Sequence, residues 1–88
     1  MKIRRSHQLG SEEARRRADE IAGHLGRQFS LTSRWQGDRL LVSGNGVNGF
    51  LHVEDDSIEL EVRLGFALKL MEGPIRSAIE NTIDEHLV

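Results

Sequence analysis

The sequence predicts an α+β fold: a four-to-five-stranded, mainly antiparallel sheet in the order β-α-β-β-β-β-α, with two helices packed on one face. Three observations predict it. Residues 14–29 and 75–87 carry apolar side chains at the helical period. Three turn signals divide residues 31–64 at even spacing, as in a meander. The sheet implied by those turns is apolar on one face only, so two amphipathic helices are needed to cover it.

Residues 3–9 (Ile-Arg-Arg-Ser-His-Gln-Leu) read as a short strand with Ile3, Arg5, His7 and Leu9 on one face. Its expected place is the sheet edge beside the strand 58–64. Gly10 and Ser11 break it. Ser11 is a helix-capping residue type, and Glu12 and Glu13 suit the positive end of a helix dipole. Ala14, Ala18, Ile21, Ala22, Leu25 and Phe29 then form one helical stripe, with Gly26 expected where the helix frays or ends.

The turn signals are Gly37-Asp38, Asn45-Gly46 and Asp55-Asp56. Asn-Gly is the strongest of them, because both central residues of a type I′ turn need positive φ. Taking each as a two-residue loop places Trp35 opposite Leu40, Leu40 opposite Leu51, Leu51 opposite Leu60, and Val53 opposite Ile58. Directly opposed residues share a sheet face. One face therefore gathers Leu31, Trp35, Leu40, Val42, Val47, Leu51, Val53, Ile58, Leu60, Val62 and Leu64. A slip of one residue would scatter this set over both faces. The other face is polar except for Leu41 and Phe50, which the same register sets opposite each other.

Gly65-Phe66-Ala67-Leu68-Lys69-Leu70-Met71 is the most apolar run in the chain. It is expected either to close the core or to form an interface. Pro74 fits the first turn of a second helix, which can begin before it, and Ile75, Ala78, Ile79, Thr82, Ile83 and Leu87 are its stripe.

At 88 residues the chain has room for one domain, 1–88, and buries roughly 60–65% of its unfolded surface. It has no cysteine, which excludes disulfides, thiol nucleophiles and thiolate metal sites. Met1 is followed at once by Lys2, Arg4 and Arg5, so neither a signal peptide nor a membrane span is expected, and the expected compartment is the cytoplasm. Residues 1–39 hold nine Lys/Arg against five Asp/Glu, and residues 40–88 hold three against nine. The basic cluster Arg15-Arg16-Arg17 reads as the solvated side of a helix rather than a nucleic-acid footprint: there is no Tyr to stack bases, and the pI is about 6.1.

No residue pattern declares a chemistry. Gly44-Asn45-Gly46-Val47-Asn48-Gly49 matches G-x-G-x-x-G, but a dinucleotide site needs that string between a strand and a helix, and here it leads into another strand. His7, His24, His52 and His86 fall on separate elements without metal-ligand spacing. His7, if inward-facing, is the one starting point for proton transfer, though a structural histidine is the simpler reading. Glu54, Asp55, Asp56, Glu59 and Glu61 lie at a turn and on the polar face, where solvation explains them. The serines lack a nucleophile-elbow context. No catalytic residue, cofactor or metal site is expected. The candidate contact surfaces are Phe66, Leu68, Leu70 and Met71, and the pair Leu41 and Phe50, which could seed a homodimer.

A set of short motifs in order carries a resemblance: Ile3 and His7-Gln8-Leu9, Glu12-Glu13-Ala14-Arg15, Trp35-Gln36-Gly37-Asp38, Gly46-Val47-Asn48-Gly49, Val62-Arg63-Leu64-Gly65, then Phe66, Leu68, Met71 and the helix from Pro74. Over nearly its whole length the chain resembles the polyhydroxyalkanoic acid system proteins, a family of small bacterial proteins. The resemblance implies a link to polyhydroxyalkanoate synthesis or granules, with no established catalytic activity and no catalytic residues to carry over. It makes a non-enzymatic accessory protein of polyester storage the leading expectation, with a granule or granule protein as partner. The alternative is a small hydrophobic-ligand carrier of helix-grip-like architecture, its cavity between the sheet and a helix and lined by Trp35, Leu51 and Leu60.

Overall fold

A computed structural model describes residues 1–87. Strand β1 is Lys2–Ser6, helix α1 Gly10–Phe29, β2 Thr32–Gln36, β3 Arg39–Gly44, β4 Val47–Val53, β5 Ser57–Leu64 and helix α2 Glu72–His86. A 3-10 helix, Phe66–Met71, joins β5 to α2. The strands form one antiparallel sheet in the order β1-β5-β4-β3-β2. The first strand takes the expected edge beside β5.

The expected registers hold throughout. Trp35, Leu40, Leu51, Leu60 and Ile3 run straight across the sheet as one row on the core face. The row beside it on the opposite face is Arg34, Leu41, Phe50, Glu61 and Lys2. The first row makes the core, with Ile3, Leu40, Leu51 and Leu60 buried and Trp35 packed at its margin. The second row is left uncovered, because both helices lie on the core side. Helix α1 buries Ala14, Ala18, Ile21, Ala22 and Leu25, and α2 buries Ile79, Thr82 and Ile83. Each Ile or Leu buried in this way stabilises the fold by roughly 1.5–3 kcal/mol.

Polar side chains fasten the edges. Arg5 reaches from β1 to α2, with Nε donating to Asp84 at 2.8 Å and Nη2 to Glu80 at 2.9 Å. These carboxylates hold the guanidinium pKa above its ordinary value. Met1 and Val62 exchange backbone bonds, and the His7 N–H donates to Asp56, so the odd residues of β1 face β5. The carbonyls of Lys2 and Arg4 therefore point out of the sheet. They accept from Arg76 and Arg5, respectively. At the other edge, Trp35 of β2 donates its indole N–H to Asp19 at 2.8 Å and lies under the Arg15 guanidinium at 3.9 Å.

The G-x-G-x-x-G string is the β3–β4 hairpin. Asn45 and Gly46 take φ of 49° and 81°, the positive values of a type I′ turn. Gly49 answers to a different demand: a Cβ there would lie 2.2 Å from the Glu61 carbonyl oxygen. Strand β4 closes on β5 at that point, and only a missing side chain permits it.

The local boundaries differ from expectation in four places. Strand β1 stops at Ser6 rather than residue 9, because the chain turns at His7 and the Leu9 N–H donates to His7 Nδ1 at 3.1 Å. Helix α1 takes Leu9 rather than Ser11 as its N-cap, without a side-chain cap bond, since the imidazole already holds that turn. Gly26 does not end α1, which continues to Phe29. There Ser30 turns left-handed and the Leu31 N–H returns to the Gly26 carbonyl, a Schellman closure. Finally, the run Phe66–Met71 does not close the core, as described next.

Candidate functional site

The 3-10 helix Phe66–Met71 has no buried residue. With three residues per turn, its side chains form three ridges: 66 with 69, 67 with 70, and 68 with 71. One ridge turns toward the domain. Leu68 packs against the core and touches Gly46. Met71, on the same ridge, is 52% exposed, while Phe66 and Leu70 on the other two are 92% and 93% exposed. A strand would have set Phe66, Leu68 and Leu70 on one face; the tighter helix splays them apart. The segment is anchored by the Gly65 N–H to the Gly46 carbonyl at 2.7 Å and by the Leu68 N–H to the Gly65 carbonyl at 2.9 Å. The result is a small apolar surface held on a fixed base, with Lys69 between Leu68 and Leu70.

Leu41 and Phe50 stand opposite each other on the uncovered sheet face, as expected, and both are half-buried. Arg39 lies over the Phe50 ring at 4.6 Å. Arg34 and Glu61, both on the polar face by the same register, flank the apolar pair in line with it.

The remaining candidates are absorbed by local structure. His7 is buried. Its Nδ1 accepts from Leu9, which assigns the ring proton to Nε2, and Nε2 has no partner among the described residues. No described carboxylate bonds to the ring, so the geometry forms no acid–base pair there. His52 lies across from Arg39 and Glu59, and its Nε2 meets Asp38 at 2.9 Å. That contact holds the Asp38 carboxyl below its ordinary pKa. His24 and His86, from different helices, come together with ring centroids 6.0 Å apart. Among the described residues, no group of three or more possible ligands converges on a metal position. Arg15 is taken up by Trp35 and the Gly37 carbonyl; Arg16 and Arg17 are taken up by Glu13, whose pKa they lower.

Between α1, α2 and the sheet lies a wholly apolar cavity lined by Leu25, Phe29, Val42, Leu51, Leu60 and Ile79. Its free space is about 20 Å³, room for about one water molecule and far below a ligand. Trp35 does not line it.

These features define a class: a two-layer α+β domain with an exposed apolar segment, an uncovered sheet face and, among its described residues, no helix long and apolar enough to cross a membrane. The chain belongs to the family of polyhydroxyalkanoic acid system proteins, whose model it matches over residues 1–87. No curated protein and no solved structure matches it.

Proposed function

We propose that the chain is a non-enzymatic accessory protein of polyhydroxyalkanoate storage that adheres to the polymer surface of the granule through Phe66 and Leu70. Membership of the family supplies the polyester system. The observation that carries the surface is the near-complete exposure of Phe66 and Leu70 on one anchored segment. An aliphatic polyester presents mostly apolar surface to water. Burying a Phe and a Leu side chain against it contributes roughly 1.5–3 kcal/mol each before the cost of association. That suits adhesion of many copies to an extended surface.

Co-sedimentation of the purified chain with protein-free polyhydroxybutyrate particles tests this reading. The expected result is binding that falls about tenfold in the double variant Phe66→Ser/Leu70→Ser, with an unchanged circular-dichroism spectrum. A wild-type chain that stays in the supernatant, or a double variant that binds as well as wild type, would overturn it.

A further inference from the structure

We propose that the uncovered sheet face is the interface of a two-fold homodimer. One row of residues on this face is its own complement. Across β5, β4, β3 and β2 the row reads Glu61, Phe50, Leu41, Arg34, each directly opposite the next. It runs acid, apolar, apolar, base, with Lys2 of β1 beyond the acid and outside the four strands that overlie one another. A dyad parallel to the strands and midway between β3 and β4 lays this row on itself reversed. Phe50 then packs on the partner's Leu41, and Glu61 meets the partner's Arg34. Because the operation is a two-fold, both contacts occur twice.

The neighbouring rows agree with this dyad. In the row Glu59, His52, Arg39, Gln36, the partner's Arg39 comes down over His52. His52 is flanked by Asp38 at 2.9 Å and Glu54 at 3.7 Å, so the arriving guanidinium meets carboxylates. In the row Arg63, Asn48, Ser43, Thr32, the residues over one another are Asn48 with Ser43 and Arg63 with Thr32, all without like-charge conflict. Grooves lined by Arg34, Leu41 and Ser43 on one side, and by Phe50, Glu61 and Arg63 on the other, leave space beside the apolar pair for the opposing side chains. A second copy fits this surface better than an unrelated partner, because the face carries its own complement. Four short strands make a small interface, so the dimer is weak and forms at roughly micromolar or higher concentration.

Within one chain Glu61 and Arg34 are three strands apart, about 14 Å at the usual strand spacing. They cannot compensate each other internally, which makes a charge exchange diagnostic. Sedimentation equilibrium of the full chain is expected to show reversible dimerisation. Arg34→Glu and Glu61→Arg alone should each raise the dissociation constant about tenfold or more, because each sets like charges together at two places. The double variant Arg34→Glu/Glu61→Arg should return to within about threefold of wild type. A chain that stays monomeric up to about 1 mM, or a dimer that ignores the single reversals, would overturn the proposal, as would a double variant no better than the singles. None of these variants touches Phe66–Met71, so polymer binding and dimerisation fail or succeed separately.

Discussion

Single residues set hard limits in this fold. Gly49 is the sharpest case. An added Cβ would sit within 2.2 Å of a backbone oxygen, which cannot rotate away as a side chain could. Gly49→Ala should therefore lower stability by about 2–3 kcal/mol in urea denaturation, the cost of overpacking a rigid site. The Asp38–His52 contact supplies a second prediction, with its sign set by linkage. The folded carboxyl titrates below its ordinary value of about 3.8, chiefly through the hydrogen bond to His52. Its contribution is thus present above that value and is lost as pH falls through the lower, folded-state pKa. The stability of Asp38→Asn should lag wild type near neutral pH and converge with it in acid, as thermal unfolding across pH would show. His7 illustrates what spacing does not reveal. An inward position was readable from the alternation of β1, yet the turn that stops the strand depends on an imidazole accepting from Leu9. That bond is a tertiary detail with no periodic signature.

At the scale of elements, the meander was legible because three two-residue turns independently specify one register, and any slip would have put leucines in water. The segment Phe66–Met71 was only half legible. Its composition marked it out, but a short apolar run does not distinguish strand from helix by itself, and a 3-10 helix sends alternate side chains in different directions. Its exposure followed from where β5 delivers the chain, not from its own residues. The ridges have separable roles, which substitution can show. Leu68→Ala should cost about 1–2 kcal/mol in urea denaturation, because Leu68 packs on the core. Phe66→Ser and Leu70→Ser should change stability by less than about 0.5 kcal/mol. A comparable loss at all three positions would mean that the segment packs as a unit. The Arg5 bridge joins two elements distant in sequence, β1 and α2. Arg5→Ala should loosen that edge by about 1 kcal/mol, and amide exchange should speed up in β1 before the central strands.

For the whole molecule, one core cluster includes residues from β1, β3, β4, β5 and both helices. Unfolding should therefore be a single cooperative transition. Trp35, the only tryptophan, is held by α1 side chains at the sheet's far edge. Its fluorescence should follow the same curve as far-ultraviolet circular dichroism, and a displaced fluorescence transition would mean that β2 detaches early. The two sheet edges differ in kind. On β1 the outward carbonyls of Lys2 and Arg4 are already occupied by guanidinium groups. Head-to-tail stacking of sheets into a filament needs two receptive edges on every copy, so that a chain seated on one neighbour offers a landing place to the next. With these acceptors of β1 already engaged, an added strand finds fewer bonds at that edge, which disfavours repeated strand-to-strand association. If the chain gathers on the polymer surface as proposed, this asymmetry disfavours its assembly into fibres there.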